Sequence, residues 1–333
     1  MQLRPGLRVL RRAHDEVQVG TDPRWAVRVT GLAPEQVDAL LAPGGRALDG
    51  RLPGVVLVRL GVAGLLRAPT RPSRLVVPAL APEVVGHGLA RADGDVVAAL
   101  RRRSAAVVSV AGLDRVGLGV AVTLAASGVG CLHLDDDRPV RPEDVCGGLT
   151  ADDVGRPRAH AAADALARAA PRVRVRREQG GRAPDVVVTA ATDAVDPVAA
   201  LALVAADVPH LPVVSREADC VVGPFVAPPV PGPAQTRPPA PCLRCLDLHR
   251  AAADPAWPTV LAQLTAPHRP PATGPTAAVA AVAAGLAAAE VLAHLDGDRP
   301  RTVGAQYEVP VPDAVPRRRV WAAHPECGCA ALV

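Results

Sequence analysis

Four cysteines in two close pairs are the residues whose types and spacing point most directly to chemistry. Two residues separate Cys242 from Cys245, and one residue separates Cys327 from Cys329. Thiolates are soft ligands, and two pairs that meet in space supply the four donors of a tetrahedral zinc site. We therefore predict a structural zinc ion that ties the second pair to the core of its domain. Because Cys-x-Cys is tighter than the usual Cys-x-x-Cys spacing, a redox dithiol, a disulfide and unrelated thiols remain alternatives.

Two histidines and two tryptophans accompany the cysteine pairs. His249 follows the first pair and His324 precedes the second, so either imidazole is an alternative fourth ligand in a Cys₃His site. We expect both histidines instead to support the site from outside or to lie at the surface. Trp257 and Trp321 are large apolar side chains in a chain with an aromatic fraction of 2%. We expect them to anchor the core near the metal, and the alternative is a contact with a partner.

A glycine-containing turn followed by an acidic cluster forms the second set of candidate functional residues. An apolar segment at 106–110 predicts a strand, the turn at 112–119 is rich in glycine, and a helical segment occupies 120–127. The next predicted strand, 131–134, is followed by the three aspartates at 135–137. In a βαβ unit the glycine turn approaches a phosphate, and an acid after the second strand meets the ribose. The pattern therefore indicates a nucleotide-binding unit.

The same alternation continues along the chain and predicts the fold. Helical patterns at 159–169 and 197–206 alternate with apolar strand segments at 185–188 and 211–214. Strands that alternate with helices in this way form a parallel sheet with helices on its faces. We therefore predict an α/β fold built on a Rossmann-like, doubly wound sheet.

The first hundred residues have a different pattern. Short alternating segments at 7–10, 16–19 and 26–29 predict strands, a helix is predicted from Pro34, and a second apolar segment covers 55–66. Small strands followed by helices suggest a winged-helix-like module, which offers a strand edge and a groove to a peptide. The alternative is an N-terminal extension that only packs on the main domain.

These patterns divide the chain into three regions. Residues 1–100 form the winged-helix-like module, and residues 101–226 form the nucleotide-binding domain. Residues 227–333 complete that domain with the cysteine pairs and a helix, and they begin with a loop at 227–241 that holds seven prolines. Proline at this density favours an extended backbone.

Composition argues against nucleic acid and membrane partners. All 37 basic residues are arginine, but they are scattered among acids, and the longest basic runs are the triplets 101–103 and 317–319. This distribution favours solvated faces over a nucleic-acid surface. The longest apolar stretch, 277–289, is mostly alanine and falls short of the roughly 20 residues of a membrane span, so we expect a buried helix. The first residues lack the apolar core of a secretory signal, which favours the cytoplasm.

Together these residues resemble the ThiF family, the ubiquitin-activating-enzyme-like adenylyltransferases. The resemblance covers roughly residues 104–333. It rests on the glycine turn, the acids after the second strand, the run Leu149-Thr-Ala-Asp-Asp-Val-Gly-Arg-Pro-Arg-Ala159, the strand at 185–188 and the split cysteines. It implies binding of ATP and Mg²⁺, adenylation of the carboxyl terminus of a small protein, a structural zinc and a homodimer. An N-terminal module before such a domain also resembles the leader-peptide-binding partners of azoline-forming systems, in which a separate enzyme performs the phosphoryl chemistry.

The chain departs from the family at the phosphate turn. The motif Gly-x-Gly-x-x-Gly aligns with Gly112-Leu-Asp114-Arg115-Val-Gly117, so Asp114 replaces the middle glycine. A carboxylate about 4 Å from a phosphate costs on the order of 1 to 4 kcal/mol per charge pair. ATP binding is therefore opposed unless Arg115 or a metal compensates.

Further departures affect the ribose, metal and phosphate positions. Asp136 takes the ribose-binding place, but Arg138 then falls where the family has a second acid. If Asp135 and Asp137 are aligned with the two acids instead, Pro139 falls where the family has a valine. An alternative is that Arg138 approaches phosphate directly, since a guanidinium suits that geometry. Arg158 replaces a lysine that contacts phosphate. Asp193 matches the metal-binding aspartate only after a shift of one residue.

No catalytic residue can be assigned. The Ser-Asn-Leu-x-Arg-Gln stretch of active members has no counterpart, because residues 146–150 occupy its place and the chain contains no asparagine. Cys146 and Cys220 are candidates for a catalytic cysteine only because they are unpaired. We expect both, like Cys131, to be small buried hydrophobic residues.

Three functional hypotheses result. The first is a protein with a degenerate nucleotide site that binds a peptide or small protein and presents it to a separate modifying enzyme. The second is an active adenylyltransferase in which Asp136, Arg115 and Arg158 contact the nucleotide. The third, an NAD-dependent oxidoreductase, lacks any recognisable hydride-transfer site.

Overall fold

The computed structural model describes residues 1–42, 47–68, 73–91, 95–177, 182–227, 240–266 and 273–330. The chain divides into two compact units, Met1–Arg101 and Arg102–Val333. The proline-rich loop predicted at 227–241 lies outside the described residues except at its ends. The finer division into three regions stays a prediction.

Within the described ranges the chain forms thirteen strands and ten helices. The strands are β1 (Gln2–Leu3), β2 (Val9–Arg11), β3 (Val17–Val19), β4 (Val27–Val29), β5 (Leu66–Arg67), β6 (Val107–Ala111), β7 (Cys131–Asp135), β8 (Arg174–Arg176), β9 (Val186–Thr192), β10 (His210–Ser215), β11 (Asp219–Val222), β12 (Ala305–Pro310) and β13 (Arg317–Val320). The helices are α1 (Pro34–Leu41), α2 (Gly54–Val62), α3 (Ala81–Ala90), α4 (Val96–Ala105), α5 (Arg115–Ala126), α6 (Arg158–Ala169), α7 (Pro197–Ala205), α8 (Leu243–Ala253), α9 (Trp257–Leu264) and α10 (Ala277–Leu295).

The first unit builds a small core from short strands and helices. β2, β3 and β4 form an antiparallel sheet, and β1 pairs antiparallel with β5. In β3 and β4 the valines are buried while Arg28 between them is exposed, which is the alternation expected of a sheet with one face on the core. The three strands lie within or overlap the predicted segments. The identification of the unit as winged-helix-like stays a prediction.

The second unit is built on an eight-stranded mixed sheet in the order β13-β12-β11-β10-β9-β6-β7-β8. The five strands from β8 to β10 are parallel, and β11, β12 and β13 are added antiparallel. The strands and helices predicted between residues 106 and 214 are present, which confirms the α/β class. The strand order reverses between β6 and β9, and the carboxyl ends of these strands form the switch point at which such sheets bind ligands.

Helices α5 and α10 pack closely against the sheet and each other. Small residues allow the approach, since a Cβ added at Gly119 of α5 would lie only 2.8 Å from the Cβ of Ala284 of α10. Helix α10 is long and apolar enough to cross a membrane, yet residues such as Ala283, Ala287 and Val291 are fully buried in the core. Its one acid, Glu290, is buried and accepts hydrogen bonds from the backbone N–H and hydroxyl of Thr302. The predicted core helix is therefore present.

A buried ion pair ties the end of α4 to the end of α10. The Nε of Arg103 donates to Oδ1 of Asp296 at 2.8 Å, and its Nη2 donates to Oδ2 at 2.7 Å. The two side chains are 1% and 3% exposed. A bidentate pair in this setting is costly to break from one side only, because the remaining charge has no water to solvate it.

Candidate metal centre and nucleotide-binding edge

The four predicted cysteines come together in one cluster. Their Sγ atoms all lie within 4.8 Å of one another. The Sγ of Cys242 is 3.9 Å from that of Cys245 and 3.6 Å from that of Cys327, and the Sγ atoms of Cys245 and Cys329 are 3.4 Å apart. A tetrahedral zinc site with bonds of about 2.3 Å has sulfur atoms about 3.8 Å apart. The spacing therefore fits a metal ion and is too long for a disulfide.

Local structure explains why these thiols meet. Cys242 is the N-cap of α8 and Cys245 lies in the first turn of that helix, so the first pair sits at the positive end of the helix dipole, which favours thiolates. Cys327 and Cys329 lie at a short 3₁₀ turn that follows β13. Leu246 and Trp321 pack around the cluster. Two segments far apart in sequence thus meet in a largely apolar pocket.

The thiols of the cluster cannot all ionise without a cation. A hydrogen bond donated by Cys242 to Cys245, together with burial, raises the pKa of Cys242, and the same bond lowers the pKa of Cys245. Burial also raises the pKa of Cys329. Cys242 and Cys329 therefore hold protons when no metal is bound, and a divalent cation would replace those protons. The donor set fits zinc, which would be held by the four cysteines and would cross-link the two segments.

The neighbouring histidines are committed to other partners. The Nε2 of His249 lies 3.0 Å from the carbonyl oxygen of Ala322, and the Nδ1 of His324 accepts the N–H of Glu326 at 3.2 Å. The two rings meet edge to face with centroids 4.8 Å apart. Among the described residues the metal-binding group contains only cysteines, which agrees with the expectation that the histidines support the site from outside.

The tryptophans are tied to the same region by hydrogen bonds and arginine contacts. The Nε1 of Trp321 donates to Gln306 at 2.9 Å, and that of Trp257 donates to Asp247 at 3.2 Å. Arg250 lies over the ring of Trp257 at 4.9 Å from its centroid. Trp321 thus packs against the cysteine cluster, as expected from the sequence, whereas Trp257 is held by Asp247 and Arg250 of α8.

At the switch point two glycines perform the packing roles that a nucleotide-binding turn requires. Gly112 has a φ of +86°, and a Cβ there would lie 2.1 Å from the carbonyl oxygen of Ala190. A Cβ at Gly117 would lie 1.9 Å from the carbonyl oxygen of Gly112. No other residue fits either position, so the first and third glycines of the motif keep strand β6, strand β9 and helix α5 in close contact.

The residue between them changes the electrostatics of the turn. Asp114 is the N-cap of α5, and its Oδ1 accepts the backbone N–H groups of Val116 and Gly117, each at 3.0 Å. These are the donors that the end of a helix offers to a phosphate. The cap also explains why α5 begins at Arg115, five residues before the predicted start. The carboxylate of Asp114 thus occupies the anion-binding end of the helix.

The acid at the predicted ribose position is enclosed by arginines. Asp136, with a side chain 1% exposed, accepts bonds from both Nε and Nη2 of Arg138 at 2.8 and 2.9 Å. It also accepts the N–H of Leu113 at 2.8 Å and a bond from Arg158 at 3.3 Å. Burial opposes ionisation, but these donors outweigh it and lower the pKa of Asp136. Both carboxylate oxygens are therefore occupied by protein groups.

The Asp-Val-Gly segment brings Arg158 to this acid. The backbone N–H of Arg158 donates to the carbonyl of Arg138, and that of Ala159 donates to the carbonyl of Asp136. Arg158 is 3% exposed, and its Nε and Nη2 bind Asp144 at 3.0 and 2.6 Å. Asp144 was not predicted from the sequence. The one sequence signal for this residue is the run Arg-Pro-Glu-Asp, which begins a 3₁₀ turn and places the aspartate in an ordered segment.

The remaining predicted nucleotide residues surround the same edge. The Nε of Arg115 donates to the backbone carbonyl of Glu143. Asp193 directly follows β9 with a φ of +69°. Cys146 is half-buried and burial raises its pKa, while burial raises the pKa of Cys220 to about 12. Neither thiol is poised as a nucleophile at neutral pH.

Comparison with known proteins agrees with this architecture. A sequence profile of the ThiF family matches residues 94–329, whereas no curated protein sequence matches the chain. The crystal structure of E. coli MccB with ATP is similar with a TM-score of 0.68 and 16% identity, covering 99% of this chain and 100% of that one. The structure of the microcin C7 biosynthetic enzyme MccB in complex with N-formylated MccA has a TM-score of 0.67 and 16% identity, covering 99% of this chain and 100% of that one. The structure of PaaA has a TM-score of 0.63 and 16% identity, covering 94% of this chain and 98% of that one.

The similarity to MccB extends to the first unit, and at these sequence identities it shows the fold alone. With its βαβ unit, switch point and split cysteines, the chain belongs to the ThiF family.

Proposed function

We propose that this protein binds a peptide or small-protein substrate and presents it to a separate modifying enzyme, while its nucleotide site no longer supports adenylation. The observation that carries this proposal is the bond from Asp114 to the N–H groups of Val116 and Gly117. A phosphate entering the turn would have to displace this carboxylate from both donors. At about 4 Å the repulsion between the two anions would add roughly 1 to 4 kcal/mol per charge pair.

The arginine pairs support the same proposal. In an active site of this family a ribose and phosphates would need Asp136 and the nearby basic groups as partners. Here Arg138 binds both oxygens of Asp136, and Arg158 is held by Asp144 and Asp136. Because buried charge pairs are costly to break on one side, a ligand would have to compensate for the lost pairs.

The first unit is the proposed site for the peptide. Its small sheet has two edge strands, β2 and β4, and strand edges bind extended peptides through backbone hydrogen bonds. MccB, which is similar over its whole length, is described in complex with N-formylated MccA. A winged-helix-like identity for this unit, a homodimer and a cytoplasmic location remain part of the proposal.

Calorimetry with ATP and Mg²⁺ on the zinc-loaded protein tests the proposal. We expect no binding of ATP and no release of pyrophosphate, with or without the cognate peptide. Tight ATP binding followed by pyrophosphate release would refute it.

The second candidate is an active adenylyltransferase, and one observation favours it. One edge of the sheet holds the first and third glycines, the acid Asp136 and the basic Arg158. Asp193 stands at the end of the adjacent strand β9. In this candidate a bound metal would neutralise Asp114. Exchange of labelled pyrophosphate into ATP in the presence of the peptide partner distinguishes the candidates, since only an adenylyltransferase catalyses it.

A further inference from the structure

The free edge of the large sheet has properties that the proposed function does not use. β13 is the last strand of the eight-stranded sheet, and all four of its residues are exposed. Val320 is 68% exposed, and Arg317, Arg318 and Arg319 precede it. Within the described ranges no strand pairs with the outer side of β13.

The hydrogen-bond pattern of this strand determines which backbone groups face outward. The N–H of Trp321 donates to the carbonyl of Gly304, and Arg319 and Arg317 stand opposite Gln306 and Glu308 in the register of β12. Since alternate residues of an antiparallel strand bond to the same neighbour, the N–H and C=O of Arg318 and Val320 point away from the sheet. Two residues therefore offer a short ladder to an additional strand.

The side chains favour negative charge on the added strand. Arg317 and Arg319 lie on one face, and their ion pairs with Asp313 and Glu308 are long, at 3.7 and 3.6 Å, and exposed. Such surface pairs are weak. Arg317 and Arg319, which are separated by one residue, thus remain able to bind acids on a neighbouring strand.

A second copy of the chain is a poor occupant of this edge. Two-fold antiparallel pairing through the outward groups would place either Arg319 opposite Arg319, with Arg318 opposite Val320, or Arg318 opposite Arg318, with Arg317 opposite Arg319. Like charges directly opposite each other destabilise a strand pair. Arginine at an edge therefore opposes self-association and favours an acidic partner.

We propose that β13 binds an extended acidic peptide segment by strand addition, with acids at alternate positions that meet Arg317 and Arg319. This contact lies outside the first unit and goes beyond the proposed function.

Strand addition can be tested with one backbone substitution. The probe is a fluorescein-labelled peptide with glutamate at alternate positions and threonine between them, and fluorescence anisotropy reports its binding to the full, zinc-loaded chain. Val320→Pro removes an outward N–H without removing a bond to β12, whereas Val320→Thr keeps it. We expect Val320→Pro to weaken binding roughly fivefold, the effect of losing about one hydrogen bond, and Val320→Thr to bind like the parent protein.

Charge substitutions test the acidic specificity. Arg317→Gln with Arg319→Gln is expected to weaken binding of the glutamate peptide at least about threefold and to leave a glutamine-substituted peptide unaffected. The matched control is Arg174→Gln with Arg176→Gln on β8, the opposite edge strand, which should have no effect. Equal effects at both edges, unchanged binding by Val320→Pro, or a dimer in sedimentation equilibrium that Val320→Pro dissociates would each overturn the proposal.

Discussion

Replacing Asp114 by glycine should open the phosphate turn. The substitution frees the N–H groups of Val116 and Gly117 and removes one negative charge from the end of α5. The backbone at this position has φ −69° and ψ −170°, which glycine adopts readily. Loss of the side-chain cap to glycine costs a few tenths of a kcal/mol, so the protein should remain folded.

The expected gain follows from the charge that is removed. At about 4 Å, between the dielectric of water and that of a protein surface, the repulsion amounts to roughly 1 to 4 kcal/mol. This corresponds to a roughly 5- to 800-fold gain in affinity for a phosphate ligand. Tripolyphosphate is the informative ligand because it probes the turn without the ribose contacts. Isothermal titration with tripolyphosphate, and then with ATP, measures the gain directly.

A matched variant separates this effect from the loss of a helix cap. Asp196 caps α7 in a similar way, accepting the N–H of Val198 at 2.9 Å, but α7 follows β9 and lies outside the glycine turn. Asp196→Gly should lose a similar small amount of stability and gain no affinity for tripolyphosphate. If Asp114→Gly binds tripolyphosphate no better than the parent protein, Asp114 does not exclude phosphate and the proposed function loses its main support.

Three further outcomes are expected. Elemental analysis should find one zinc ion per chain, and Cys327→Ser should lose it and lower the melting temperature by on the order of 5 °C, while Cys146→Ser, outside the cluster, should retain the metal. Arg103→Met should destabilise the protein by about 3–5 kcal/mol in chemical denaturation, because Asp296 would remain buried without its partner. Adding Asp296→Asn to this variant should recover part of the lost stability, and no recovery would contradict this account. The pKa of Asp136 is lowered in the folded state, so its contribution to stability should be complete above the unfolded pKa of about 3.9 and lost as the pH falls through the folded value. Denaturation curves of Asp136→Asn should lack that part of the acid dependence.

The sequence predicted those features that depend on local pattern or on rare residue types. The alternation of strand and helix from 106 to 214 gave the parallel sheet, and the cysteine spacing gave the cluster, because each leaves a signal within a few residues. The three antiparallel strands of the large sheet, β11, β12 and β13, were not predicted, and for β13 the reason is physical. β13 reads Arg-Arg-Arg-Val, and all four residues are exposed, so it has neither the apolar run nor the alternation by which a strand is identified.

The contacts of the nucleotide-binding edge required the fold. The substitution of Asp114 for glycine was visible in the sequence, but its role as the cap of α5 depends on the conformation of the turn. The pairing of Arg158 with Asp144 depends on a backbone bond between Arg158 and Arg138, which no spacing rule encodes. Residues with a predicted role in ligand binding thus acquired partners within the protein.

Those internal partners suggest how a nucleotide-binding fold can persist without its nucleotide. A buried carboxylate and helix-end N–H groups must be satisfied by a ligand or by the protein itself, because leaving them unpaired costs about 1–3 kcal/mol for each group. Here Asp114 satisfies the helix end, and Arg138 with Arg158 satisfies Asp136. The turn glycines Gly112 and Gly117 are still required because the strands and α5 approach too closely for any side chain. Under the proposed function, the packing residues of the motif remain under structural constraint while the ligand-binding residues do not, and this accounts for a motif in which aspartate replaces the middle glycine and the other two glycines are present.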